Sequence, residues 1–257
     1  MFVDSHCHLY SEYYDNIEEI INLSKNDNVC YFINAGCDKA SNLEVLSLMN
    51  NKDIFAVIGY HPEFANTITE KDLCILEQQI KNNKVIGIGE IGLDFHYDNY
   101  DKEKQKDLFN YQLNLAEKYN LPVVIHSRDA TKETIDILRK HNVKGIIHSF
   151  SGSKETANIY VNMGFKLGIN GTITFKNCKL IDVLNEIGIE NIVFETDCPY
   201  LTPVPLRGKK NYPGNIKYIV EFILKDLNIS IEDLSKITND NIKKIFNINI
   251  WLISYIF

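Results

Sequence analysis

Short apolar runs alternate along the chain with longer segments whose apolar residues recur every three or four positions. The early runs are Phe2-Val3, Val29-Cys30-Tyr31-Phe32-Ile33, Ile54-Phe55-Ala56-Val57-Ile58 and Val85-Ile86-Gly87-Ile88. Leu121-Pro122-Val123-Val124-Ile125, Gly145-Ile146-Ile147, Phe165-Lys166-Leu167-Gly168-Ile169 and Asn191-Ile192-Val193-Phe194 follow. These make eight candidate strands. Helical spacing fills the gaps, over 17–25, 43–49, 70–81, 102–119, 131–141, 154–163 and 180–187. Two more amphipathic segments follow, 216–227 and 231–245, and Thr238-Asn239-Asp240-Asn241 is expected to break the second in two.

Strands alternating with helices imply right-handed βαβ units and a parallel sheet. Eight units predict an α/β fold of the closed (β/α)8 TIM-barrel type. An open doubly wound sheet is the runner-up, but no Gly-x-Gly-x-x-Gly turn follows the first strand. No linker, low-complexity tract or internal repeat interrupts the pattern. One barrel domain is expected over residues 1–247, with an apolar tail at 248–257. The tail is too short to span a membrane and suits packing on the barrel or at a subunit contact.

A length of 257 residues with 45% hydrophobic content supports one sizeable core and matches a single barrel. The net charge is 27 − 34 = −7, so bulk charge does not draw the protein to nucleic acid. Such a role would rest on a local basic patch or on bound cations. The six cysteines form no CxxC pair, which suits free thiols in a reducing cytosol. No basic n-region precedes an apolar h-region, so no signal peptide and a cytoplasmic location are expected. No apolar run reaches the roughly 20 residues of a membrane span.

The residues just past the runs change the picture. They read Asp4-Ser5-His6-Cys7-His8, Gly59-Tyr60-His61-Pro62, Gly89-Glu90-Ile91-Gly92-Leu93-Asp94, His126-Ser127-Arg128-Asp129, His148-Ser149-Phe150 and Glu195-Thr196-Asp197-Cys198-Pro199. Five of the seven histidines therefore sit at predicted strand ends, the face where barrels carry out catalysis. On a strand, His6 and His8 point to one side and Cys7 to the other. Taken singly, each residue has a plain reading: Asp94, Asp129 or Ser149 as a helix N-cap, His61 as a loop histidine before Pro62. Taken together, His6, His8, Glu90, His126, His148 and Asp197 would crowd one barrel mouth with ligand-type groups that need a cation. Four imidazoles and two carboxylates exceed one tetrahedral zinc. They suit two divalent ions sharing a bridging carboxylate, with zinc, manganese or magnesium as candidates.

These six segments, extended by Ala130, by Ser151-Gly152 and by Tyr200-Leu201, resemble the TatD-type deoxyribonucleases of the metal-dependent hydrolase superfamily. The resemblance runs over residues 2–246, with every motif in order. It implies that His6, His8 and Asp197 hold one metal, His126 and His148 the other, and Glu90 bridges. It implies DNA phosphodiester hydrolysis, with single-stranded DNA or frayed ends as substrate and an exonuclease mode expected.

The expected chemistry is attack on phosphorus by a water whose pKa the cations depress. Asp197 is the expected proton acceptor, doubling as ligand. His61 is the candidate phosphate contact or proton donor to the leaving oxygen. Arg128 and Arg207 are the candidate substrate contacts; Lys176 adds to the patch, while Lys209 and Lys210 read as surface charge. The same metal site would also serve a D-aminoacyl-tRNA deacylase or another ester or amide hydrolase. A metal-binding scaffold without turnover is a third reading, which the full ligand set opposes. No membrane and no obligate protein partner are expected.

Overall fold

The computed structural model describes residues 1–250. Eight strands pair in chain order, and every pairing is parallel. They are β1 (Phe2–Cys7), β2 (Val29–Ala35), β3 (Ile54–Ile58), β4 (Gly87–Asp94), β5 (Val123–Arg128), β6 (Gly145–Ile147), β7 (Lys166–Ile169) and β8 (Ile192–Phe194). The helices are α1 (Ile17–Asn26), α2 (Lys39–Leu48), α3 (Glu70–Asn82), α4 (Lys102–Tyr119), α5 (Thr131–Leu138), α6 (Lys154–Asn162), α7 (Leu180–Ile187), α8 (Ile216–Ile223) and α9 (Ile231–Phe246). The chain just past β8 returns to β1: Asp197 N donates to His6 O at 3.0 Å and His8 N donates to Cys198 O at 2.9 Å. These bonds close the sheet into the predicted (β/α)8 barrel and exclude the open sheet.

Alternation along the strands builds two apolar layers. Phe2, Phe32, Ile58, Ile88, Ile125, Ile169 and Phe194 belong to the layer shared with the helices. Val3, Ile33, Val57, Val124, Ile146 and Val193 form a second cluster within the barrel, joined by Ile242, Phe246 and Ile250. So α9 plugs the end where the strands begin and leaves the other end open.

Several boundaries differ from the pattern, and three of the differences have a clear local reason. β4 does not stop at Ile88 but runs on through Glu90 to Asp94. Its register against β5 shifts between Ile88 and Ile91, and a bulge of this kind re-aims the residue it displaces. α2 begins four residues early, because Asp38 accepts from Ser41 N and forms a capping box with it. α9 is not broken at Thr238–Asn241. Asn239 Nδ2 donates to Met1 O at 2.8 Å, and Asn241 Nδ2 donates to Glu190 O at 3.0 Å and Ile192 O at 2.8 Å. Their amides bond to the chain around β1 and β8 instead of competing with the helix backbone.

The first tail residues join the barrel: Ile250 is buried in the inner cluster and Ile248 packs against it. Residues 251–257, where the rest of the tail falls, lie outside the described residues. Among the described residues no helix is long and apolar enough to cross a membrane. All six cysteines are free.

The plug carries a stability prediction. Phe246→Ala removes a ring buried at the barrel base and is expected to cost about 3–5 kcal/mol in urea unfolding. An unchanged midpoint and slope would show that α9 does not hold the barrel shut.

Candidate metal centre

The open end of the barrel gathers the predicted ligands around one carboxylate. Glu90 is buried, 4% exposed. Its Oε2 lies 3.3 Å from His6 Nε2 and 3.7 Å from His8 Nε2. Its Oε1 lies 2.8 Å from His126 Nδ1, 3.6 Å from His148 Nε2 and 3.7 Å from His61 Nε2. One oxygen thus faces each histidine group. Asp197 Oδ1 adds a second hub, 3.3 Å from His8 Nε2, 3.6 Å from His6 Nε2 and 3.7 Å from His148 Nε2. The paired strand-end histidines meet as their spacing predicts, with their Nε2 atoms 3.1 Å apart.

Backbone geometry sets these positions. β1 shifts register between Asp4 and Cys7, next to His6. Asp4 Oδ1 accepts from His6 N at 3.2 Å and Thr196 N at 3.0 Å, and Oδ2 from Thr196 Oγ1 at 2.5 Å. This buried clamp joins β1 to the chain after β8 and so fixes Asp197 opposite the histidine pair. Asp197 itself takes φ 54°, a left-handed conformation unusual for a residue with a side chain.

Each outer histidine is held from behind. His8 Nδ1 lies 3.1 Å from Ala35 O, a carbonyl that can only accept, so Nδ1 carries a proton. Burial lowers the ring's pKa, but Tyr10, Cys37 and Asp197 raise it well above the ordinary value, so Nε2 must lose its proton to take an ion. His126 Nε2 lies 3.2 Å from Asp94 Oδ2, which leaves Nδ1 facing Glu90. His148 Nδ1 lies 3.1 Å from Glu195 Oε1, at ion-pair distance though off the hydrogen-bond angle. Glu195 is fully buried, accepts from Ser149 N at 2.6 Å, and fits only because residue 168 is glycine; an added Cβ there would sit 2.2 Å from Glu195 Oε2.

Sequence reasoning missed these backing groups. Asp94 and Ser149 are not N-caps: α4 is capped by Asp101 and α6 by Ser153. Asp129 does not cap α5 either, and pairs with His96 Nδ1 at 2.8 Å. The available signal was adjacency, since Asp94 ends the Glu90 strand and Glu195 lies two residues before Asp197.

The protonation pattern follows the crowding. Burial pushes the Glu90 carboxyl up, but His148 and His61, with His126 and His6, hold it well below the ordinary carboxylate range. Asp197 is likewise lowered, with His148 and His8 outweighing its burial. Burial lowers His126, yet Asp94 and Glu90 raise it to about 9. Burial lowers His148 too, but Glu195, Asp197 and Glu90 raise it to about 10. In the metal-free state these imidazoles therefore neutralise the carboxylates as cations.

His61 behaves differently. Burial, then His126, lowers it to about 3, so the ring is neutral. Its Nδ1 accepts from Glu63 N at 3.3 Å, which places the proton on Nε2, the atom facing Glu90. It is both the loop histidine and a group aimed into the mouth. Arg128 lines the same cavity of about 570 Å³; its guanidinium lies 5.5 Å over Tyr97. Arg207 does not line it and stacks 3.9 Å over Phe175 outside. A larger cavity of about 860 Å³ lies at the plugged end by Pro122 and Phe246, where no ligand cluster forms among the described residues.

The donor set fits divalent cations. Three groups, His6–His8–Glu90, His6–His148–Asp197 and His61–Glu90–His126, each bring their ligand atoms within 4.8 Å of one another. Ligands around an ion with bonds of about 2.1 Å lie roughly 3.4 Å apart, close to the 3.1–3.6 Å separations at the His6–His8–Asp197 end. Closed barrel and cage together define a metal-dependent hydrolase of the TIM-barrel type. A family model described as TatD related DNase matches residues 3–247, and the chain belongs to that family. It is 40% identical over 255 residues to the uncharacterized metal-dependent hydrolase YabD of Bacillus subtilis (strain 168), covering 97% of this chain and 100% of that protein. It is 30% identical to the uncharacterized metal-dependent hydrolase YcfH of Escherichia coli (strain K12), covering 96% of each. The crystal structure of YjjV, a TatD homolog from Escherichia coli K12, matches with a TM-score of 0.92 at 28% identity, over 96% of this chain and 98% of that one.

Two predictions follow from the backing groups and the raised imidazoles. Glu195→Gln weakens the grip on His148 and is expected to lower metal affinity about 10–100-fold in a chelator competition; full affinity would rule out a positioning role. His126 and His148 titrate at about 9 and 10 in the metal-free protein, above an unfolded value of about 6.5. Their stabilisation is complete below the unfolded value and is lost as pH rises through about 9–10. Metal binding must also displace their protons. Calorimetry in buffers of different ionisation enthalpy should show proton release near pH 7.5, with affinity rising toward pH 9. A buffer-independent heat would contradict this.

Proposed function

We propose that the protein is a metal-dependent deoxyribonuclease that hydrolyses phosphodiester bonds of single-stranded DNA or frayed ends as an exonuclease, using two divalent ions. The observation that carries this reading is the splitting of Glu90: Oε2 faces His6 and His8, Oε1 faces His126, His148 and His61. A carboxylate with one oxygen toward each donor group is what a bridging ligand requires. His6, His8 and Asp197 then form one site, His126 and His148 the other. When bound, zinc, magnesium or manganese ions would supply a water of lowered pKa and neutralise charge growing on the phosphoryl oxygens.

The chain's own groups divide the remaining work. Asp197 is the proton acceptor, a carboxylate held below its ordinary range at the edge of the cavity. His61 is a neutral donor, so it contacts a phosphoryl oxygen through Nε2–H and is not an imidazolium acid. Arg128 lies on the cavity wall, with the planar fork that suits a phosphate. Arg207 contacts the substrate beyond the cavity. Asp94 and Glu195 orient His126 and His148.

The same cage would serve D-aminoacyl-tRNA deacylation or another ester or amide hydrolysis, and the test separates these. End-labelled single-stranded DNA is digested with each metal, and aminoacyl-tRNA is assayed in parallel. Shortening from one end is expected, and Glu90→Ala is expected to lose about 10³-fold or more in kcat/KM with its fold intact by circular dichroism. Undiminished DNA hydrolysis by that variant would remove Glu90 from the centre. A wild type inert on DNA but active on aminoacyl-tRNA would select the rival substrate, and one inert on both would leave a scaffold.

A further inference from the structure

The metal cavity is the first of three in a row. It shares the wall residue Tyr200 with a second cavity of about 350 Å³. The second shares Phe175 and Arg207 with a third, of about 840 Å³, between the loops after β6 and β7. Charge changes sign along this row. Glu12, Asp38, Glu44 and Glu63 surround the mouth, whereas Lys154, Lys176, Lys179 and Arg207 line the third cavity against Glu155 and Asp182. Among the described residues none of these four cations forms an ion pair. In a chain of net charge −7, unpaired cations collected beside the mouth point to an anionic occupant.

The wall between the cavities is built rigidly. Asn211 Nδ2 donates to Thr196 O at 3.0 Å and Tyr200 O at 2.6 Å, and Thr202 Oγ1 donates to Lys209 O at 2.6 Å. Val204 N donates to Thr174 Oγ1 at 2.9 Å, strapping this loop to the one after β7. Gly208, at φ 84°, turns the chain just after Arg207 where a side chain would be strained. The guanidinium lies 3.9 Å over Phe175, and stacking leaves its N–H edges free for phosphate. Tyr200 is 51% exposed.

Phe175 is half-buried beneath Arg207 and serves to hold that guanidinium in place, so Tyr200 supplies the exposed ring. An exposed aromatic face beside a cationic groove is how proteins hold unpaired nucleotides: a base stacks and the groove tracks the backbone. A duplex would offer this ring nothing, because its bases are already stacked. We propose that single-stranded DNA leaves the metal cavity over Tyr200, passes the Arg207–Phe175 pair and lies in the groove of Lys154, Lys176 and Lys179. The nucleotides on one side of the scissile bond are thereby bound by residues remote from it. The proposal rests on the deoxyribonuclease reading and adds the path of the strand.

Fluorescence anisotropy tests the path without turnover. The probes are a tetranucleotide and a twenty-nucleotide oligothymidylate, both labelled and phosphorothioate-linked so that they resist hydrolysis. The protein is used as purified, with its metals. The wild type is expected to bind the longer probe about tenfold tighter. The triple variant Lys154→Ala, Lys176→Ala, Lys179→Ala is expected to lose that advantage, and its log–log salt slope to fall by about 2. Phe175→Ala is expected to weaken the longer probe alone. A wild type without length preference, or a triple variant that keeps both preference and slope, would overturn the path. DNA hydrolysis without length preference removes the groove and leaves the enzyme reading intact. Length-dependent binding without hydrolysis of ordinary DNA does the reverse.

Discussion

The structure depends on one costly interaction, the burial of Glu90 as a carboxylate. An ionised acid out of water is tolerated only when paired and hydrogen-bonded. Five imidazoles, His6, His8, His61, His126 and His148, lie within 2.8–3.7 Å of its two oxygens. Bringing them there constrains the chain at several points at once. β4 must run past Ile88 with a register shift, β1 must shift between Asp4 and Cys7, and the chain after β8 must be clamped to β1. The barrel is the scaffold that makes these demands compatible, because parallel strands deliver side chains from eight directions to one rim.

The opposite end supplies the rigidity. Inner-layer residues are capped by Ile242, Phe246 and Ile250, and Asn239 and Asn241 tie α9 to the chain around β1 and β8. These are the strands whose far ends meet in the Asp4–Thr196 clamp. The strand pair is therefore fastened at both ends, and the relation of His6 and His8 to Asp197 is set by the fold rather than by flexible loops. Backing groups complete the control, since Ala35 O, Asp94 and Glu195 reach the three histidines from β2, β4 and the residue after β8.

Much of this is legible in the sequence, and the limits have physical causes. Strands covered on both faces read as plain apolar runs, so all eight appear. Their carboxyl ends do not, because the residues that continue β4 and β5 are the polar ones that serve the mouth. Glu90 and His126 look like loop residues for that reason. Periodicity also misleads at Thr238–Asn241, where buried asparagines resemble a break until their carbonyl partners are known. The candidate ligands stand out because ligand-type residues recur after run upon run. Asp94, Asp129 and Glu195 show the opposite case. An acid at a strand end looks the same whether it caps a helix, pairs on the surface or supports a histidine, and only distances across strands separate those roles. In sequence Arg207 is the stronger candidate contact because of its Arg-Gly-Lys run, yet it is Arg128 that lines the metal cavity while Arg207 stacks beyond it.

The distribution of charge gives the two regions different tasks on the deoxyribonuclease reading. The mouth is acidic, with Glu12, Asp38, Glu44 and Glu63 around the buried carboxylates. By itself it repels a phosphodiester, and its protonated imidazoles are largely spent on Glu90, Asp197, Glu195 and Asp94. Divalent cations reverse the local sign, so productive binding of a phosphate there is coupled to metal loading. Lys154, Lys176, Lys179 and Arg207 carry positive charge irrespective of metal. A strand can thus be retained by the groove while the scissile phosphate is admitted only to a loaded centre. Retention and reaction are then separable functions of one surface, which is how a protein of net charge −7 would hold a polyanion long enough to cut it.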